Sequence, residues 1–266
     1  MRHAIRIKDK KQVRFAKLLF YFSLGGLMSL LALIGVDAPK EIKNALSARG
    51  FELFELARDG RLPLPILSHA DTLIFTLENK IFVSRAYFEE NRTLFDTLEK
   101  RGCCIIPCEC ELGGEYPEDI AFNVAIVGNY AFGRFDFVAQ EIKRELVDRG
   151  YTLIDVKQGY AKCSTAIIGD NAIITADSGI AKKAAALGID VLKVSAAEGA
   201  IELDGYGYGF IGGACALFEN TLYSCGNIEL HPDFEAIRDF CLTHGVSLCS
   251  LSDGKLCDLG GILFIN

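Results

Sequence analysis

The eight residues Lys157-Gln158-Gly159-Tyr160-Ala161-Lys162-Cys163-Ser164 carry two ammonium groups, an amide, a phenol, a thiol and a hydroxyl. They lie between the apolar runs Tyr151–Val156 and Thr165–Thr175. A dense polar stretch between two buried strands is where side chains converge on a small ligand. Two ammonium groups suit an anion such as a carboxylate or phosphate, unless a carboxylate such as Asp119 or Asp258 neutralises one of them. His69 and Asp71 are two residues apart, which puts both on one side of an extended strand; His69 reads equally well as a loop histidine bonded to backbone. Tyr206-Gly207-Tyr208-Gly209 reads as a flexible aromatic wall or as a tight connection with exposed rings. His231-Pro232-Asp233 reads as a helix start, with Asp233 as its N-terminal anion. The sequence holds no phosphate-binding glycine motif, serine nucleophile elbow or paired-histidine zinc helix.

The frame that must position these groups is set first by composition. The chain has 266 residues, is 50% hydrophobic, and carries a net charge of −7. Residues 1–17 are strongly basic, so the remainder is more acidic than the total. That acidity excludes nucleic acid as an expected partner. The ten cysteines sit mostly inside apolar runs, where Cys acts as a small buried hydrophobe, and they imply a reducing, cytoplasmic compartment rather than a disulfide scaffold. The group Cys103, Cys104, Cys108 and Cys110 has the spacing of no common zinc knuckle and coincides with a predicted strand. No metal and no cofactor is expected.

Leu18–Val36 is uncharged behind a basic flank, which meets the threshold for a membrane anchor. Its second half is also needed as a strand. The expectation is a folded domain over residues 28–266, with residues 1–27 as an appendage or misplaced start. Membrane association is expected only if residues 18–36 act as an anchor.

A repeat runs through the rest. Helices stop at Gly50, Gly102, Gly150, Gly188 and Gly245, and each stop feeds an apolar strand: Phe51–Leu56, Cys103–Pro107, Tyr151–Val156, Ile189–Val194 and Val246–Leu251. Glycine past a helix end adopts the left-handed conformation freely. Four of the helices follow hairpins whose turns contain Asn79, Asn129, Asn171 and Asn220, and Asn tolerates positive φ. The first unit lacks one hairpin strand, whereas the chain ends on a lone strand, Ile262–Ile265. The predicted fold class is therefore α/β: five ββαβ units in a pseudo-fivefold ring, closed by pairing of the C-terminal strand with the first unit.

This pattern resembles the pentein, or guanidino-group-modifying enzyme, fold over about residues 28–266. The segments Tyr116–Asn123, Lys157–Ser164, Tyr208–Gly213 and His231–Phe234 resemble an uncharacterised bacterial family assigned to that fold. The resemblance implies an α/β propeller with an axial site formed by loops 57–71, 108–119, 157–164, 195–213 and 252–261. It implies that Asp119 and Asn123 match acidic and amide positions lining pentein pockets. Registered on dimethylarginine dimethylaminohydrolases, however, Tyr160 stands where the catalytic histidine belongs and Leu259 where the cysteine belongs. The expected function is binding of a small anionic or zwitterionic metabolite by Lys157, Gln158, Tyr160, Lys162, Asp119, Asn123, Asp258, His69, Asp71, Tyr206 and Tyr208. Two alternatives stay open: a hydrolase or amidinotransferase with a displaced nucleophile, Cys163 or Cys257, and a non-catalytic interaction module.

Overall fold

The structure, a computed structural model, describes residues 30–265. The five glycine stops organise it. Gly50, Gly102, Gly150, Gly188 and Gly245 all have positive φ, between 69° and 92°, and follow the helices Lys40–Ser47, Arg92–Lys100, Gln140–Asp148, Ser178–Ala186 and Phe234–Thr243. The strands they release are Phe51–Leu56, Cys104–Cys108, Thr152–Asp155, Asp190–Lys193 and Ser247–Ser250. Each pairs in parallel with the strand that precedes its helix, namely Leu30–Gly35, Lys80–Ser84, Tyr130–Gly133, Ala172–Thr175 and Thr221–Ser224. These central strands pair antiparallel, on their other edge, with Leu263–Ile265, Ile74–Leu77, Ala125–Val127, Thr165–Gly169 and Cys215–Phe218. The result is five three-stranded sheets of one design.

The first sheet takes its antiparallel strand from the far end of the chain, with Leu31 opposite Ile265 and Leu33 opposite Leu263. Phe264 on that strand packs at 4.8 Å from Phe51 and 5.1 Å from Phe218, so aromatic contacts tie the first sheet to the fifth. Ala32, Ile34 and Phe51 of the first sheet and Ala216 and Phe218 of the fifth share one buried cluster with Ile42 and Leu46 of the first helix. A sixth, two-stranded sheet pairs Ile201–Glu202 with Leu256–Cys257. It joins two of the long loops and has no counterpart in the sequence reading.

The hairpin asparagines do other work than expected. Positive φ falls one residue earlier, at Glu78, Gly128 and Glu219. The carbonyls of Asn79, Asn129, Asn171 and Asn220 instead accept from Cys104, Thr152, Asp190 and Ser247 N–H, each at 2.9 Å. Each asparagine thus extends the parallel ladder past the turn.

Leu30–Gly35, the second half of the predicted anchor, is the central strand of the first sheet, buried at five of its six positions. The earlier part of that run and the appendage over residues 1–27 lie outside the described residues. Among the described residues no helix is long and apolar enough to cross a membrane. Cys104–Cys108 is a strand, with Cys103 and Cys108 buried and Cys104 exposed.

The helix stops can be tested with two glycines that both have open space where a Cβ would go. Gly150 has φ +80°, whereas Gly169, at a strand end, lies outside the positive-φ region. Gly150→Ala should cost about 1 kcal/mol in urea denaturation, and Gly169→Ala should be neutral or slightly stabilising. Equal effects would show that the left-handed stop is not what the repeat needs.

Candidate functional site

The segments ahead of the five antiparallel strands meet in the interior, where a closed cycle of hydrogen bonds links them. The Asn123 side-chain amide donates to Asp71 O at 3.2 Å, and Cys163 N–H donates to Asn123 Oδ1 at 3.3 Å. Gly213 N–H then donates to Cys163 O at 2.9 Å, Gly261 N–H to Gly213 O at 2.7 Å, and Asp71 N–H to Gly260 O at 3.2 Å. The approach is close enough to exclude side chains in two units. A Cβ on Gly213 would lie 1.9 Å from Asp258 Oδ1, and one on Gly260 would lie 2.5 Å from His69 Cβ.

Asp71, Asn123 and Cys163 meet one another at this centre, while Asp258 and His69 occupy the space that Gly213 and Gly260 leave. The Cys163 thiol donates to Asp71 Oδ2 at 2.9 Å and accepts from Asn123 Nδ2 at 3.2 Å. Burial raises the Asp71 carboxyl to about 7; Lys162 partly opposes this, and Asp258 adds to it. Burial and the neighbouring Asp71 push the Cys163 thiol well above its ordinary value. Cys163 is therefore held as a thiol, the opposite of an activated nucleophile. His69 is not on an extended strand as the spacing suggested. It caps the short helix Ala70–Leu73, which still carries its ring to the same centre. Desolvation keeps the ring neutral, against the attraction of Asp258, whose Oδ1 lies 3.8 Å from His69 Nδ1.

Asp258 is itself buried, and its two oxygens accept from Phe210 N–H at 2.8 Å and Gly260 N–H at 3.0 Å. It organises both loops that approach from the glycine side. Lys162 donates its ammonium to Gly212 O at 3.1 Å. Among the described residues, His69, Asp71 and Cys163 are the one group of imidazole, carboxylate and thiol whose ligand atoms all lie within 4.8 Å of one another. That donor set could hold a metal ion.

Beside this centre the Tyr160 hydroxyl donates to Asp119 Oδ2. Asp119 is fully buried and its Oδ1 has no partner. Burial, reinforced by Asp119, holds the Tyr160 phenol protonated. Tyr116, Tyr160, Phe210 and Tyr208 follow one another at ring separations of 5.9, 6.2 and 5.8 Å. A cavity of about 320 Å³ opens next to them, bounded by Gln158, Ser164, Tyr208, Phe210, His231 and the start of the helix Ser178–Ala186. Ser164 Oγ and His231 Nε2 are buried without a hydrogen-bond partner. His231 Nδ1 accepts from Asp233 N–H at 3.1 Å, so the neutral ring carries its proton on Nε2. Asp233 does not cap its helix through its side chain; its carboxylate binds the Ser195 backbone at 2.7 Å and the Ser195 hydroxyl.

Of the residues expected from sequence, His69, Asp71, Asn123, Lys162, Cys163 and Asp258 form one cluster. Asp119 and Tyr160 pair beside it, and Gln158 and Tyr208 border the cavity. Lys157 and Tyr206 are exposed. Cys257 belongs elsewhere: its thiol donates to Cys225 O at 3.3 Å, and burial raises it to about 11. Ser164, Phe210 and His231 were missed as cavity residues. Ser164 lies within the conspicuous polar stretch, but His231 had only its His-Pro-Asp context, which reads as a helix start.

The architecture is similar to solved structures of several guanidino-modifying enzymes. An amidinotransferase from Microseira wollei superposes with a TM-score of 0.58 at 10% identity, covering 90% of this chain and 95% of that one. The inosamine-phosphate amidinotransferase of Streptomyces griseus gives 0.55 at 11% identity, covering 90% and 94%. A dimethylarginine dimethylaminohydrolase from Pseudomonas aeruginosa, in complex with citrulline, gives 0.53 at 12%, covering 84% and 91%. At such identities the likeness is one of fold, and the fold is of the pentein type. No curated protein matches the sequence. The model of a family of unknown function, DUF6873, matches residues 33–263, most of the chain, and the protein belongs to that family.

Proposed function

We propose that this protein is a five-unit pentein ring that binds a small zwitterionic metabolite next to its axis. The closed hydrogen-bond cycle and the pairing of the last strand with the first sheet support the ring. One observation carries the binding reading. Two buried polar atoms without partners, Ser164 Oγ and His231 Nε2, belong to residues that line one cavity of about 320 Å³. A buried polar group left unpaired costs roughly 1–3 kcal/mol, which a ligand acceptor would recover.

The chemistry around the cavity favours both charges in one molecule. The N–H groups of Ser178 and Gly179 open the first turn of a helix and have no intrahelical partner. With Ser164 and His231 they suit a carboxylate. Asp177, which caps Ile180 N–H at 2.7 Å, also lines the cavity, and its charge weighs against a ligand that is only anionic. Asp177 and the faces of Tyr208 and Phe210 suit a cationic end. Asp119, Tyr160, Asn123, Asp71, Lys162, Asp258 and His69 lie behind the cavity lining, on the axial side, where they would support the site rather than touch the ligand, with Lys157 and Tyr206 on exposed flanks of the same loops.

A second reading has one observation in its favour. Cys163, Asp71 and His69 are a thiol, a carboxylate and an imidazole whose ligand atoms lie within 4.8 Å of one another, the groups that guanidine hydrolysis or transfer requires. The protonated, buried thiol counts against it.

Thermal-shift screening against arginine, citrulline, ornithine and simple dicarboxylates tests the first reading. A true ligand at about 100 times Kd should stabilise by about 2.7 kcal/mol, with zwitterions ahead of dicarboxylates. Absence of any response at millimolar levels would favour a non-catalytic interaction module instead. Ser164→Ala should raise ligand-free stability by roughly 1 kcal/mol, because it removes an unpaired buried hydroxyl, and should abolish the ligand response.

The pH dependence follows from His231, whose pKa is lowered mainly by burial. Its contribution to stability is complete above the unfolded value of about 6.5 and is lost as pH falls toward the folded one. Melts between pH 7 and pH 5 should therefore show a shallower acid slope for His231→Asn than for the parent.

Iodoacetamide separates binding from catalysis. In the native protein below neutral pH, Cys163 should stay unlabelled until urea unfolds the chain. Fast, selective labelling of Cys163 would overturn the binding reading in favour of the enzyme.

A further inference from the structure

We propose that His69, Asp71 and Cys163 form a buried site for a borderline-soft divalent cation such as Zn²⁺, independently of what the neighbouring cavity binds. The three ligand atoms lie within 4.8 Å of one another. The side chains come from segments about ninety residues apart in sequence and are 6%, 2% and 3% exposed. Tetrahedral zinc has bonds of about 2.0–2.3 Å, so its ligand atoms stand about 3.3–3.8 Å apart. Cys163 Sγ and Asp71 Oδ2, at 2.9 Å, need to part by less than that bond length to admit the ion.

The surroundings are those of a supported ligand set. Asn123 Nδ2 donates to the Cys163 sulfur and also to the Asp71 backbone carbonyl, holding both ligands in place. Asp258 Oδ1 lies 3.8 Å from His69 Nδ1, and Asp258 is fixed by two backbone N–H groups. Closing that gap into a hydrogen bond as the ion binds would give the outer-shell carboxylate usual for a ligating histidine. Asp71 Oδ1 has no partner, so the carboxylate has bonding capacity to spare.

Charge points the same way. A divalent ion bound by the Asp71 carboxylate and the Cys163 thiolate is neutral as a unit, and Lys162 and Asp258 offset each other beside it. Buried charge is tolerated only when paired in this manner. Binding exchanges an S–H bond for a metal–sulfur bond and releases the thiol proton to solvent. One sulfur, one nitrogen and one oxygen exclude Mg²⁺ and Ca²⁺, which take oxygen ligands, and fit Zn²⁺ or Co²⁺. Three protein ligands leave a fourth position open, the pattern of sites that also hold water or a small molecule.

Chelator-stripped, full-length protein titrated with Zn²⁺ and with Co²⁺ tests the proposal. One equivalent should bind, with the near-ultraviolet charge-transfer band of a cobalt–thiolate bond, and excess Mg²⁺ should not compete. Cys163→Ser should lose the band, and His69→Gln should weaken binding tenfold or more. Cys104→Ser with Cys110→Ser should leave both unchanged, which separates this site from the surface cysteines. Unaltered protein supplies a readout that needs no variant: in partial denaturant, Zn²⁺ should slow alkylation of Cys163 specifically. Absence of binding, a cobalt–thiolate band that survives Cys163→Ser, or alkylation of Cys163 that Zn²⁺ does not slow would each overturn the proposal.

Discussion

Where the approaches to the five antiparallel strands meet, backbone N–H and C=O groups are packed away from water with no sheet to satisfy them. Each such group must find a partner or cost free energy comparable to a lost hydrogen bond. The chain meets this constraint by passing the bonds from one segment to the next, from Asp71 through Gly260 and Gly261, Gly213, Cys163 and Asn123 back to Asp71. The cycle works only if the segments approach closely. At Gly213 and Gly260, in two different units, a single added Cβ would fall within 2.5 Å of a neighbouring heavy atom. The five units therefore cannot be alike at their meeting point. Two give up side chains so that the others can have them.

That division sets where chemistry can occur. The glycine units supply room and backbone donors, and Asp258 is held by N–H groups from their loops. The side-chain units supply a carboxylate, an amide and a thiol, all facing one centre. The arrangement depends in turn on the sheets being locked in register. Leu263–Ile265 completes the first sheet, and Phe264 wedges between Phe51 and Phe218. Loosening that aromatic contact would free Gly260 and Gly261, which lie just before the strand, and so open the cycle at Asp71.

What could be read from sequence was what depends on neighbours along the chain. A glycine after a helix and a short turn between apolar runs are local events, and all five helix stops and the four internal hairpins fall where the spacing put them. The role of the turn asparagines was misread because it is not local: Asn79 O bonds Cys104 N–H across a helix. The polar stretch Lys157–Ser164 was visible by composition, but composition could not say that Lys157 faces solvent while Lys162 turns inward. The contact between Cys163 and Asp71 spans 92 positions and leaves no periodic trace. His231 was hidden for a different reason. Its Nδ1 takes up the Asp233 N–H as a helix-start residue does, and only the fold reveals the unpaired nitrogen on the other side of the ring.

The same three groups could serve as a nucleophilic site, a metal site or a structural hydrogen bond, and desolvation decides between these fates. In water a thiol near a carboxylate and an imidazole would ionise through the imidazole. Here burial lowers the histidine pKa and raises that of both the carboxyl and the thiol, so all three groups move toward their neutral forms together. Ionising Cys163 requires a positive charge placed close by. The Lys162 ammonium acts on the neighbouring Asp71, and its nitrogen is already engaged by Gly212 O. A guanidinium substrate would have to bring its own charge into this buried centre, whereas a small cation needs Sγ and Oδ2 to part by less than one metal–ligand bond length. The geometry that silences the thiol as a free nucleophile is therefore the geometry that would make it a good ligand.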